Sequence, residues 1–330
     1  MTVNQAFDAF MRNYVNLDPG VVERARASRD HLWANIKEFD GAEDFFKLYS
    51  DIHIQVGSFA RKTKCRELDD IDLMIGMSAE GASYFSAGKW NNIRIVPSST
   101  SAMQKKCLDE NGYLNSRKVI EVFKRKLSHV REYSRSEIKR NQQAVVLNLI
   151  SKDWSFDIVP CFLTVQESDG RNYYLIPNGN GHWMKTDPRK DRDTVTAANQ
   201  SCEGKLLELV RLVKRWNKKP YAKSIPSYLL ETMVVSLADS SYDILDQALP
   251  VRFIDVLTQL KKLIYEPVDD MKKIQGDINI LKDADRESFA EQCETDLVYA
   301  EAAVQWEAQG YIQTALQKWQ KVFGNDFPTE

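Results

Sequence analysis

The chain has 330 residues, which at roughly 150 residues per domain predicts two domains, and its 43% hydrophobic content is ordinary for a protein that buries a core. Forty-five Lys and Arg against 47 Asp and Glu leave a net charge of −2. That excludes the overall positive field of a dedicated nucleic-acid binder, so a polynucleotide would have to be held by a local patch. No stretch approaches the roughly 18 uninterrupted apolar residues of a membrane span, and polar residues from Asn4 to Asn13 interrupt any signal-peptide pattern. Cys65, Cys107, Cys161, Cys202 and Cys293 are scattered and odd in number, which argues against a zinc site and a disulfide framework. The expectation is a reduced, cytoplasmic protein without a membrane partner.

In chain order, Phe7, Phe10, Met11 and Tyr14 form one helical stripe, Asp18-Pro19-Gly20 breaks it, and Val22, Arg26, Leu32, Ile36 and Phe39 form a second. A short helical piece is expected from Asp44 to Tyr49. The pattern then changes to period two at Ile52-His53-Ile54-Gln55-Val56, a strand that runs into Gly57-Ser58, and a second strand follows at Ile71 to Ile75. Residues 80–115 carry no firm pattern. Ser116 to Tyr133 has helical spacing with a Lys/Arg-dense outer face, and strands are expected at Ala144 to Ile150, Trp154 to Val165 and Tyr173 to Ile176. The Asn178-Gly179-Asn180-Gly181 turn and Trp183 read equally as a lid or as a plain β-turn. From Gly204 onward the pattern is helical. Strands in the first 200 residues and helices in the last 130 predict an α+β protein, with a mixed-sheet lobe over residues 1–200 that includes bracing N-terminal helices, and a helical lobe over 201–330.

The chemistry concentrates between Val56 and Met74. A strand that ends in Gly57-Ser58 and enters a helix exposes free backbone N–H groups with a positive dipole end behind them, which suits phosphate oxygens, and Ser58 adds a hydroxyl. In Asp70-Ile71-Asp72, strand alternation puts both carboxylates on one face. Two like charges there are unfavourable unless a cation lies between them, and hard oxygen ligands select Mg²⁺ or Mn²⁺. Asp157, inside the apolar run Phe156-Asp157-Ile158-Val159, supplies a third carboxylate whose burial without a partner would cost several kcal/mol. Together these read as a two-metal phosphoryl-transfer site.

Gly57-Ser58, Asp70-Ile71-Asp72-Leu73 and Phe156-Asp157-Ile158, in that order, resemble the polymerase-β-like nucleotidyltransferase superfamily. Tyr174-Leu175-Ile176-Pro177, Trp183, Thr186-Asp187-Pro188, Gly204 to Asn217 and Pro226 to Glu231 narrow the likeness to the bacterial cGAS/DncV-like nucleotidyltransferases, relatives of oligoadenylate synthetase and cyclic GMP-AMP synthase. The likeness covers most of residues 50–240.

The resemblance implies a polymerase-β-like lobe followed by a helical lobe, with the active site in the cleft between them. It implies synthesis of a cyclic oligonucleotide, a cyclic dinucleotide foremost, from nucleoside triphosphates such as ATP or GTP, with release of pyrophosphate, as the signal of an anti-phage (CBASS) system. Two Mg²⁺ or Mn²⁺ would be held by Asp70, Asp72 and Asp157 and the triphosphate cradled at Gly57 and Ser58. Lys205 would reach the triphosphate, Ser227 would assist, and Tyr228 would stack on a base. Further partners implied are an effector that binds the product and a regulatory protein.

Lys105, Lys106, Arg117, Lys118 and Lys124-Arg125-Lys126 could hold an activating nucleic acid, but the charge balance favours a solvated helix face. The alternatives are nucleotidyl transfer to an RNA 3′ end, which calls for a continuous basic track that is not evident, and a nucleotide-binding protein with a dead site, which the presence of all three aspartates disfavours.

Overall fold

The computed structural model describes residues 1–239 and 247–330. The chain forms two compact units. One comprises Gly20–Ala60 and Leu68–Arg189, the other Met1–Pro19, Arg61–Glu67 and Lys190–Glu330.

In chain order the elements are α1 (Val3–Phe10), α2 (Pro19–Lys37), β1 (Ile54–Val56), α3 (Gly57–Ala60), β2 (Asp70–Gly76), β3 (Ser83–Ser86), β4 (Ile93–Val96), α4 (Ala102–Lys106), α5 (Ser116–Ser128), β5 (Glu137–Asn141), β6 (Ala144–Asn148), β7 (Ser155–Leu163), β8 (Tyr174–Pro177) and β9 (Trp183–Thr186). They are followed by α6 (Pro188–Ser201), α7 (Leu206–Asn217), α8 (Ser227–Ser236), α9 (Leu249–Leu263), α10 (Asp283–Ala308) and α11 (Ile312–Phe323). This is the mixed α+β architecture that the strand and helix patterns predict.

Among the described residues, nine strands of the first unit form one sheet in the order β1-β2-β7-β8-β9-β4-β3, with β6 pairing to β7 and β5 to β6. β2 and β7 run parallel, and the other pairings are antiparallel. The strands owe their placement to alternation: Ile71, Leu73 and Ile75 on β2 and Phe156 and Ile158 on β7 are fully buried, each worth about 1.5–3 kcal/mol when removed from water. α5 begins at Asn115, whose side chain accepts from the backbone N–H groups of Arg117 and Lys118, and buries Val119, Ile120, Phe123 and Leu127.

Three local expectations change. Asp44 to Tyr49 is not helical: Leu48 forms an antiparallel bridge with Met77, and Phe45 and Phe46 pack on Phe123, with ring centroids 4.8 and 6.3 Å away. The Trp183 lid is excluded. Trp183 is fully buried, donates its indole N–H to the Leu114 carbonyl at 2.8 Å and meets Phe162 edge-on at 5.3 Å. α6 is a helix the apolar pattern did not announce, because it buries only Asp191 and Val195.

The second unit is a helical assembly around one apolar cluster. α1 belongs to it rather than to the sheet unit. Its Thr2–Gln5 capping box closes the N-terminus, and Phe7 lies 4.9 Å from Trp319, 5.6 Å from Phe323 and 5.1 Å from Phe327. The first helix therefore completes the core of the last one. No helix among the described residues is long and apolar enough to cross a membrane.

Candidate active site

The sheet unit brings together Gly57, Ser58, Asp70, Asp72 and Asp157. β1 pairs antiparallel with β2 so that Val56 opposes Asp72, and the chain then turns into α3 at Gly57, where φ is +74°. Only glycine takes that conformation without steric cost. The turn also needs the space: a Cβ on Gly57 would lie 1.8 Å from Asp72 Oδ2. The Asp72 carboxylate thus sits directly against the backbone of the proposed phosphate cradle.

β7 lies beside β2 in parallel register, with Asp72 opposite Asp157 and Asp70 opposite Ser155. Adjacent strands are about 4.8 Å apart, and i, i+2 positions share a face, so all three aspartates occupy one face of neighbouring strands. Each is half-buried, while the residues between them, Ile71 and Phe156, are fully buried on the other face. Farther along, the aspartate face becomes apolar: Met74 and Cys161 form a small buried cluster with Ile52 and Tyr174. The carboxylates therefore stand at the polar end of an otherwise dry surface.

The donor set suits a hard divalent cation, since the register positions present carboxylate oxygens and no thiol or imidazole. As placed, the side chains share a face without closing into a group of three ligands among the described residues. Like charges on directly opposed positions repel. The backbone register sets Asp72 and Asp157 at one level.

The helical unit holds the other three residues singled out by the sequence. Lys205 precedes α7, with its Nζ 3.1 Å from Glu203. Ser227 is exposed at the first position of α8. Tyr228 lies in a charged network: its hydroxyl is 2.6 Å from Asp191 Oδ1 and 2.9 Å from Asp270 Oδ1, and accepts from Lys272 Nζ at 2.8 Å. Lys272 Nζ lies 4.1 Å and the Arg61 guanidinium 5.6 Å from the ring centroid. Burial and the two carboxylates push the phenol pKa far up. As placed, the ring is already engaged by two cations.

This network was missed by the sequence reading. Its centre is Glu231, 1% exposed, which accepts from Arg61 Nε at 2.7 Å and from Lys214 Nζ at 2.9 Å. The one available signal was an acidic residue inside the apolar run Leu229 to Val235 of α8. Burial pushes the Glu231 carboxyl up, but the two cations outweigh it and hold its pKa below the ordinary 4.5.

Glu231→Gln is expected to destabilise the protein by about 3–5 kcal/mol in urea unfolding, because it takes the carboxylate from buried Lys214 and leaves Arg61, among the described residues, only Asp191 at 3.8 Å. A carboxylate whose pKa is lowered by folding contributes stability above its unfolded pKa and loses it as the pH falls through the folded one. The gap between wild type and variant is therefore expected to narrow below pH 4.5.

A mixed sheet that sets three aspartates beside a Gly-Ser turn defines a nucleotidyltransferase. Residues 107–199 match the family described as the Second Messenger Oligonucleotide or Dinucleotide Synthetase domain. A relative from Bacillus cereus (strain VD146), named "Probable cyclic nucleotide synthase", is 39% identical over 330 residues, covering 99% of this chain and 98% of the relative. The chain belongs to the bacterial cGAS/DncV-like nucleotidyltransferases, the family of cyclic oligonucleotide synthases.

Two solved structures share its fold. The structure of E. coli MS115-1 CdnC with ATP has a TM-score of 0.71 at 17% identity, and that of the CdnC:HORMA-deltaN complex 0.70 at 16%. Each comparison covers 98% of both chains.

Proposed function

We propose that this enzyme joins nucleoside triphosphates into a cyclic oligonucleotide, a cyclic dinucleotide foremost, and releases pyrophosphate at each transfer. The observation that carries the reading is the pairing of Asp72 with Asp157 across β2 and β7, with the Asp72 carboxylate against Gly57. Asp70, Asp72 and Asp157 would hold Mg²⁺ or Mn²⁺, which when bound polarises the triphosphate and lowers the pKa of the attacking ribose hydroxyl.

The chain's own residues do the remainder. Backbone N–H groups at Gly57 and the Ser58 hydroxyl bind the triphosphate oxygens, and a carboxylate oxygen of Asp157 takes the proton of the attacking hydroxyl. Lys205 adds a compact cation for the triphosphate, and Ser227 assists. Base stacking on Tyr228 requires Lys272 to leave the ring or a nucleotide to use its edge. A cyclic product needs at least two transfers, so the linear intermediate rebinds with its free hydroxyl at the same carboxylates.

The relative's name and the CdnC complexes with ATP and with a HORMA protein support ATP among the substrates and a regulatory protein as a partner. A cytoplasmic anti-phage signal read by an effector fits this chemistry.

The test is incubation with the four radiolabelled nucleoside triphosphates and Mg²⁺ or Mn²⁺, followed by phosphatase. A phosphatase-resistant product is expected, and omission of each triphosphate in turn names its bases. A product that remains phosphatase-sensitive, or that forms only when an RNA 3′ end is supplied, would overturn the reading.

A further inference from the structure

Within the sheet unit, a cavity of about 340 Å³ is lined by Met103, Lys106, Cys107, Arg117, Lys118, Glu121, Val122, Arg125 and Arg140. Its size falls in the range of small-molecule sites, about 300–1,000 Å³. Five cations face it against one carboxylate, in a protein whose overall charge is −2.

Little of that charge is neutralised by the protein. Arg117 Nε donates to the Gly179 carbonyl at 2.8 Å and Lys118 Nζ to the Leu108 carbonyl at 2.6 Å, which fixes both side chains without cancelling their charge. Arg140 shares Glu121, at 3.4 Å, with Lys124, at 3.9 Å. Lys106 and Arg125 have no ion-pair partner among the described residues.

Outside the concavity, two neighbouring cations are paired. Lys126 pairs with Asp44 at 2.5 Å and Lys139 with Glu137 at 3.5 Å. Five cations thus converge on one cavity of nucleotide size, a concave arrangement that suits a compact polyanion better than an extended nucleic acid. None of the lining residues belongs to the aspartate face.

We propose that this cavity is a second binding site, for a small molecule carrying a chain of linked phosphates, separate from the catalytic carboxylates. The fork-shaped donors of Arg117, Arg125 and Arg140 grip phosphate oxygens, Lys106 and Lys118 add point charge, and Met103 and Val122 supply an apolar floor.

The experiment is calorimetric titration of inorganic tripolyphosphate, and separately of ATP, into the full chain in metal-free, low-salt buffer. Saturable binding that weakens with salt is expected. Arg117→Ala with Arg125→Ala should weaken it about tenfold or more, and Asp70→Asn with Asp72→Asn should leave it at wild-type affinity. Arg125→Gln, which breaks no ion pair of the described residues, should weaken it to a lesser extent and guards against misfolding of the double variant.

The proposal is overturned if the arginine variants bind as tightly as wild type, if the aspartate variant is the one that loses binding, or if a 20-nucleotide RNA binds this face and tripolyphosphate does not. The readout is binding without turnover, so either result leaves the proposed reaction to be judged by its own assay.

Discussion

Asp72→Asn is expected to lower synthesis of the phosphatase-resistant product by about 10³–10⁴-fold, the several kcal/mol by which a metal-holding carboxylate stabilises charge in phosphoryl transfer. The fold should survive, because asparagine has nearly the same shape and position 72 is half-buried. Thermal stability should stay level or rise, since the substitution removes one of two like charges at directly opposed positions, Asp72 and Asp157. Loss of activity with retained or improved stability separates a functional carboxylate from a structural one. A variant that keeps a tenth or more of wild-type turnover would remove Asp72 from the site.

Gly57→Ala should give the second large effect, by a different route. Alanine at a φ of +74° costs about 1–2 kcal/mol, a moderate stability loss visible in a thermal melt. The new Cβ would lie 1.8 Å from Asp72 Oδ2 and 2.7 Å from its Cγ, so the carboxylate must turn away. The protein therefore folds, but with the carboxylate displaced from the cradle, and activity should fall about 10²-fold or more, as when reacting groups are misplaced by an ångström.

Gly76→Ala, on the strand that carries Asp72, provides the contrast. Its Cβ would meet Ile52 Cγ1 at 2.1 Å and the Tyr49 carbonyl oxygen at 2.6 Å. A buried side chain and a backbone atom cannot give way, so that variant should lose stability first and activity only as a consequence. Equal losses of stability in the two glycine variants would argue against a functional reason for Gly57.

Different parts of this arrangement were legible to different degrees. Alternation at Asp70-Ile71-Asp72 and at Phe156-Asp157-Ile158 is a local property, and a strand's period of two forces the aspartates to one face and their neighbours to the other. The glycine before Ser58 was readable for the same reason, since a left-handed turn between strand and helix admits few other residues. By contrast, β3 and β4 fall within residues 80–115, which carry no firm pattern, and β9 directly follows the Asn178–Gly181 turn. The short helical piece expected from Asp44 to Tyr49 does not form, and Phe45 and Phe46 pack on Phe123 instead.

The sequence by itself determined which face each of the candidate aspartates presents, because side-chain direction follows from backbone period. Its length, charge balance and scattered cysteines bounded the protein to a two-lobed, near-neutral chain, and that balance proved to conceal a strongly basic cavity at α5. The tertiary structure decided the relations between distant segments: that β7 lies parallel beside β2 with Asp157 level with Asp72, that α1 completes the core of α11, and that Arg61 and Lys214 share the buried Glu231. Local periodicity specifies a face but not its neighbour. Strand register, and the burial of a charge beside its counter-charge, depend on contacts between residues far apart in the chain.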